Sequence, residues 1–155
     1  MCLTGMRISD AKRFNSSWIS GELIEYSAEK TMSKAYIPIF ETVQGILDKY
    51  NGKPPNMCEA YFNRKIKQVC KDIDLSRAVI KRYRQGRNMT EVVYPLYEVV
   101  SSHTGRKTFV SMMLARGVPI QDVMNMSGHQ DYRSMKPYIQ VDRERMLQHK
   151  NSIEF

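Results

Sequence analysis

Residues 99–141 constrain the fold of this chain more than any other stretch, because three helix starts and two glycine stops come in succession there. Ser101 or Ser102 can cap a helix running to about Arg116, with Phe109, Val110, Met112, Met113 and Leu114 on its buried side and Gly117 ending it. Pro119 opens a shorter helix over residues 120–126, closed by Gly128, and Asp131 can cap a third that leads to Tyr138. The eleven methionines of the chain concentrate in and just beyond this stretch, which reads as adaptable core filling. His103 and Arg106 lie three apart at the start of the first helix, so both are expected on one face near the positive end of the macrodipole. That arrangement suits an anion: a helix start offers backbone N–H groups to phosphate, and arginine adds a planar bidentate donor that lysine does not match.

Upstream the period changes. Residues 16–39 are short runs with Trp18, Ile19, Leu23, Ile24 and Tyr26 separated by Gly21 and a polar stretch, which predicts a three-stranded antiparallel meander. Val43, Ile46, Leu47 and Tyr50 then fall at helical spacing and are stopped by Gly52 and Pro54-Pro55. Tyr61, Phe62, Ile66, Val69 and Cys70 predict a second amphipathic helix packed on the domain, its lysines solvated or against a phosphate backbone. Residues 76–98 read best as a hairpin, with Arg77, Lys81, Arg82, Arg84 and Arg87 along a basic edge and Pro95 arguing against a continuous central strand. Near the start, Ser9 and Asp10 can cap a helix entered near Ala11. From Asp142 onward charged and apolar residues alternate, as in a tail helix that docks on its own domain or on a neighbouring subunit.

At 155 residues the chain fits one domain, residues 1–155, of α+β class, mainly helical with a small antiparallel sheet. Its 24 Lys and Arg against 16 Asp and Glu give +8, which favours a polyanionic partner such as nucleic acid. Three cysteines, Cys2, Cys58 and Cys70, have no C-x-x-C spacing and suggest neither a disulfide framework nor a zinc ribbon. No cluster of Asp, Glu and His has ligand spacing, so no metal or other cofactor is expected and a metal-dependent nuclease is disfavoured. No membrane-spanning run or signal peptide is seen, and the expected location is the bacterial cytoplasm, in association with the nucleoid.

The pattern His103-x-x-Arg106, then Gly128-His129, then Tyr138 nine residues on, resembles the tyrosine recombinase (phage integrase) family. Thr4-Gly5-Met6-Arg7-Ile8-Ser9-Asp10 resembles that family's first arginine box, and Lys30-Thr31 stands where its hairpin lysine precedes a third strand ending in Ile37-Pro38. Lys34 is the fallback for Lys30. The order of all six positions matches over nearly the whole chain, and the style is similar to integrases of conjugative transposons and prophages. The resemblance implies the catalytic domain of a site-specific recombinase or integrase, with Tyr138 as nucleophile and a 3′-phosphotyrosyl intermediate. It implies Arg7 and Arg106 clamping the phosphate, His103 accepting a proton or hydrogen-bonding, and His129 bonding a non-bridging oxygen. Lys30 is the implied general acid, and Asp10 the acid that holds a catalytic residue in place. The implied partners are double-stranded DNA, a homotetramer on paired sites with exchanged C-terminal segments, and accessory DNA-bending proteins. An N-terminal core-binding domain is expected in a larger parent protein.

Two positions depart from the family pattern. Gly105 replaces the usual apolar residue inside His-x-x-Arg, and Ser127 replaces the leucine of Leu-Gly-His; both remove apolar volume. Two alternatives stay open on the residues alone: a type IB topoisomerase-like nicking and closing enzyme, against which Ser-Gly-His-Gln argues mildly, and a basic, non-catalytic DNA-binding module.

Overall fold

The computed structural model describes residues 1–86 and 88–138; Arg87 and the expected tail helix from Asp142 onward lie outside them. The expected α+β class holds. Helices α1 (Ile8–Lys12), α2 (Glu41–Lys49), α3 (Glu59–Asp72), α4 (Leu96–Val99), α5 (Ser102–Ala115) and α6 (Ile120–Ser127) surround a three-stranded sheet, and a separate two-stranded ribbon lies between α3 and α4 in sequence.

The sheet is the predicted meander, β1 (Ile19–Ser20), β2 (Leu23–Ser27) and β3 (Lys34–Pro38), antiparallel in the order β1-β2-β3. Pairing of Ile24 with Ile37 and Tyr26 with Ala35 puts these four residues on the buried face, because strand side chains alternate. Met6, Val43 and Leu47 complete this core. A second core joins α5 and α6 through Phe109, Val110, Met113, Leu114, Val123 and Met124, closed by Met135; Phe40 packs against both.

Residues 78–95 form the expected hairpin, β4 (Ala78–Gln85) paired in register with β5 (Asn88–Pro95). Pro95 is tolerated because it ends an edge strand. The ribbon is largely exposed, and Arg82 is paired across it with Glu91 at 2.7 Å. Helix α3 packs less fully than its apolar pattern suggests: Val69 and Ile73 stay exposed, while Cys70 is buried. Its firm attachment is polar and lies at the start of α5, where Asn63 accepts the Ser102 amide at 2.7 Å and Glu59 accepts the Ser102 hydroxyl at 2.8 Å.

Three local expectations change. Helix α1 begins at Ile8 with Arg7 as its cap residue, so Asp10 lies within the helix and is fully buried. Asp131 does cap by accepting the Arg133 amide, but the chain then winds into two 3-10 turns, Tyr132–Ser134 and Lys136–Tyr138, in place of an α-helix. Pro137 explains this: it has no N–H to return to Arg133, and the tighter winding brings Met135 into the second core. Gly105 does not leave a gap, since a Cβ there would stand 3.2 Å from both Cys2 Sγ and Met1 Cβ, so the N-terminal residues fill the lost volume.

Gly5 has φ +66°, and a Cβ there would lie 2.5 Å from the Cδ1 atom of buried Phe109. Gly5→Ala is therefore expected to lower unfolding free energy by roughly 2–4 kcal/mol, from left-handed strain plus overpacking. Chemical denaturation checks this, and a change below about 0.5 kcal/mol, the usual range for a surface substitution, contradicts it.

Candidate active site

Arg106 is the centre of the site. It leaves the second turn of α5 pointing inward, is 2% exposed, and donates from Nη1 to the Gly5 carbonyl at 2.7 Å, joining positions 101 apart in sequence. Its Nη2 lies 3.2 Å from Nδ1 and 3.1 Å from Nε2 of His129. Burial, then the neighbouring Arg7 charge, pulls the Arg106 pKa down to about 10, so it still carries its charge at neutral pH. His103, three positions earlier, stays exposed at the helix start while Arg106 is buried, yet it is close enough for the Arg106 and Arg7 charges to act on it.

Three amides at the start of α5 are already engaged. Ser101 N–H goes to Thr104 Oγ1 at 3.0 Å, Ser102 N–H to Asn63, and Thr104 N–H to the Ser101 carbonyl at 2.9 Å. Attraction for an anion therefore rests on side chains. Arg7 is the second cation, and its Nη1 is buried with no hydrogen-bond partner among the described residues. Neither Arg7 nor Arg106 is in an ion pair among the described residues; buried Asp10 pairs through Oδ1 with Arg13 at 3.2 Å, and its Oδ2 has no hydrogen-bond partner there. Asp10 acts on Arg106 only from beyond ion-pair contact, so two neighbouring guanidiniums with no carboxylate in contact leave an unmet demand for negative charge.

The remaining residues come from three directions. His129 comes directly after Gly128, whose φ of +65° ends α6; the His129 amide returns to the Met124 carbonyl at 3.0 Å. Gly128 cannot carry a side chain cheaply because of that left-handed φ; Ala28 Cβ and Ser33 Oγ already lie at contact distance, 3.4 Å from where a Cβ would stand. That close approach docks the β2–β3 turn on the histidine loop: Ser33 Oγ donates to the Gly128 carbonyl at 3.2 Å and Gln130 Nε2 to the Thr31 carbonyl at 2.9 Å. Lys30 is exposed in that turn, next to Thr31. Lys34 sits one register step from buried Ala35, on the opposite, exposed face of β3. Asp10 accepts the Glu29 amide at 2.9 Å, so the residue it holds is the turn next to Lys30. Tyr138 lies half-buried against the second core, near enough for a charge on its phenol to act on Arg106.

Electrostatics link the histidines to the same cluster. His129 has its pKa lowered to about 4 by burial first and then by Arg106, Arg7 and His103. Burial, Lys107, Arg106 and Arg7 lower that of His103. Both rings are therefore neutral at pH 7. Because the unfolded chain binds the His129 proton near pH 6.5 and the folded chain only near 4, stability falls as pH drops through that window. The melting temperature is expected to decline from pH 6.5 to 4 and to decline less steeply in His129→Gln; equal slopes contradict this.

Sequence reasoning overlooked the supports: Asn63 and Glu59 at the start of α5, the Thr31–Ser33 turn, and Ser127, whose hydroxyl lies 2.7 Å from His129 Nδ1. A serine at the buried end of a helix two residues before a candidate histidine was the available signal. An apolar cavity of 220 Å³ under α1 and α2 contains none of the six candidate residues. No described helix is long and apolar enough to cross a membrane, and no described group of His, Cys, Asp or Glu is arranged to hold a metal ion.

Solved structures similar to this chain include the XerA recombinase, at 14% identity and TM-score 0.66 over 99% of this chain and 56% of that one. A Tn1549 transposon integrase in complex with a circular intermediate DNA has 16% identity and TM-score 0.65 over 98% and 56%. XerH site-specific recombinase bound to a palindromic difH substrate has 14% identity and TM-score 0.62 over 96% and 42%. The chain spans about half the length of these structures, and at these identities they establish the fold. No curated protein matches it. The family model described as the Phage integrase family matches residues 1–145. With that match over nearly its whole length and this fold around Arg106, the chain belongs to the phage integrase family of tyrosine recombinases.

Proposed function

We propose that this chain is the catalytic domain of a site-specific recombinase that cuts and rejoins duplex DNA through a 3′-phosphotyrosyl link at Tyr138. The observation that carries the proposal is the pair Arg7 and Arg106, without an ion-pair partner among the described residues and with a buried Arg7 donor unsatisfied. A scissile phosphate supplies the missing anion, and the clamp strengthens as charge builds on the phosphoryl oxygens in the transition state.

The Tyr138 phenol gives its proton to His103, kept neutral and able to accept by burial and then by its cationic neighbours. The phenolate oxygen forms a bond to phosphorus while the bond to the 5′ oxygen breaks, and Lys30 protonates that oxygen as it leaves. The products are a 3′-phosphotyrosyl chain and a free 5′ hydroxyl. The ester keeps the bond energy, so a 5′ hydroxyl from another strand reverses the step without a nucleotide cofactor. His129 bonds a non-bridging oxygen, and Asp10 holds the Lys30 turn. In the longer protein we place this domain opposite a core-binding domain, in a tetramer on two paired sites. Its cellular place is then the bacterial nucleoid.

The test is a nicked duplex carrying the ends of the parent element, mixed with the protein and run on a denaturing gel. A protein–DNA band that requires those ends supports the recombinase. Relaxation of any supercoiled plasmid, with no dependence on the ends, favours the topoisomerase-like activity instead. Binding with no adduct, even with the full-length protein, favours a non-catalytic module.

A further inference from the structure

Ser127 is fully buried at the last position of α6, and its hydroxyl oxygen has three neighbours: the Val123 carbonyl at 2.5 Å, His129 Nδ1 at 2.7 Å and the Met124 carbonyl at 3.5 Å. A serine hydroxyl has one proton to give and lone pairs to receive another. A carbonyl can only accept, so the 2.5 Å contact requires the proton to lie toward Val123. The oxygen then faces Nδ1 with a lone pair, and a short contact of 2.7 Å there requires a proton on Nδ1.

Arg106 does not compete for this ring geometry. Its Nη2 is nearly equidistant from the two ring nitrogens, at 3.2 and 3.1 Å. An atom in the ring plane at those distances would lie inside the van der Waals radius of Cε1 or of the opposite ring carbons. The guanidinium nitrogen therefore sits over the face of the imidazole, and the in-plane lone pair of Nε2 is left for the site.

We propose that Ser127 is a positioning residue that accepts Nδ1–H from His129, fixing the tautomer in which Nε2 is bare and turned to the phosphate site. The tautomer itself stands on geometry, while its use in catalysis rests on the proposed phosphate chemistry. In that use, Nε2 donates to a non-bridging oxygen only after taking a proton from solvent. Burial first, and then Arg106, Arg7 and His103, oppose that proton in the free protein; an arriving phosphate offsets the cationic part, and Ser127 goes on accepting Nδ1–H from the imidazolium. His129 thus becomes a third positive charge only when an anion is present. The leucine usual at this position of the family pattern offers no such acceptor.

The decisive measurement is long-range ¹H–¹⁵N correlation of the histidine rings in the whole chain at pH 7, with His129 assigned by its loss in His129→Gln. The expected spectrum has His129 protonated at Nδ1 and bare at Nε2. Ser127→Ala is expected to move it to the Nε2–H form, and Ser127→Thr, which keeps the hydroxyl, to retain the wild-type pattern. A wild-type ring protonated at Nε2 overturns the proposal, as does a folded Ser127→Ala whose ring is unchanged. No DNA is needed for these spectra, so a failure of strand cleavage and a failure of the tautomer are told apart. In the adduct assay Ser127→Ala is expected to slow cleavage about tenfold, the rate equivalent of one hydrogen bond, with DNA affinity unchanged and Ser127→Thr restoring the rate.

Discussion

Tyr138→Phe is expected to remove the protein–DNA adduct, with cleavage falling by roughly four to six orders of magnitude, the scale seen when a catalytic nucleophile is deleted. The ring stays in place in that variant. Tyr138 packs part of its surface on the core of Phe109, Met113 and Met135, and its amide is held by the Met135 carbonyl at 2.9 Å, so a phenyl ring keeps the fold. DNA binding in a mobility-shift assay should match that of the wild type. A parallel loss of binding and cleavage would make Tyr138 a contact residue and not the nucleophile.

Arg106→Ala separates the same two quantities through electrostatics. Cleavage should fall at least roughly a hundred- to a thousandfold, the effect of removing one preorganised donor from a developing negative charge. Nonspecific DNA affinity should fall far less, with the slope of log affinity against log salt shrinking by about 0.9, because one phosphate contact among many is lost. The fold loses the partner of the buried Gly5 carbonyl, a cost of about 1–3 kcal/mol, offset in part by relief of the repulsion from Arg7. Arg106→Lys keeps the charge and shows whether the planar guanidinium is needed, since an ammonium cannot reach Gly5 and lie over His129 together. If the lysine variant cleaves like the wild type, the two-handed role of Arg106 is wrong.

Elements whose residues report their own environment were legible before the structure. The strand alternation around Ile24 and Tyr26, the glycine stops at positions 52, 117 and 128, and the cap at Ser101 are local signals, and each marks a boundary where the fold has one. Features that depend on partners far along the chain were not legible. Asp10 looks like a cap because an aspartate before a helix usually is one, but here a strand turn 19 residues away presents the Glu29 amide to it. Gly105 looks like lost packing until Met1 and Cys2 are seen to occupy the space. Ser127 looks like lost volume too, because the histidine that uses its hydroxyl folds back across the Gly128 turn.

The site shows the same division. Motif order along the chain brought six residues under one hypothesis, but nothing in their spacing tells Arg106, buried and bonded, from His103 three positions earlier and exposed. Likewise the Lys30-Thr31 pair favours Lys30 over Lys34 in sequence only through the family resemblance, while strand register and the docking of Thr31 and Ser33 on Gly128 show where each lysine stands. Among the described residues Arg7 and Arg106 lack an ion pair while buried Asp10 pairs with Arg13, an arrangement that no pairwise sequence pattern encodes.

The central claim is that Tyr138 itself becomes joined to DNA. It is tested most directly by isolating the adduct from a nicked duplex, digesting both components, and locating the residual nucleotide on the protein by mass spectrometry. The account predicts nucleotide mass on the Tyr138 side chain, joined through a 3′ phosphate, with a free 5′ hydroxyl on the released strand. Attachment at any other residue, a link through a 5′ phosphate, or cleavage that leaves no nucleotide on the protein would contradict it.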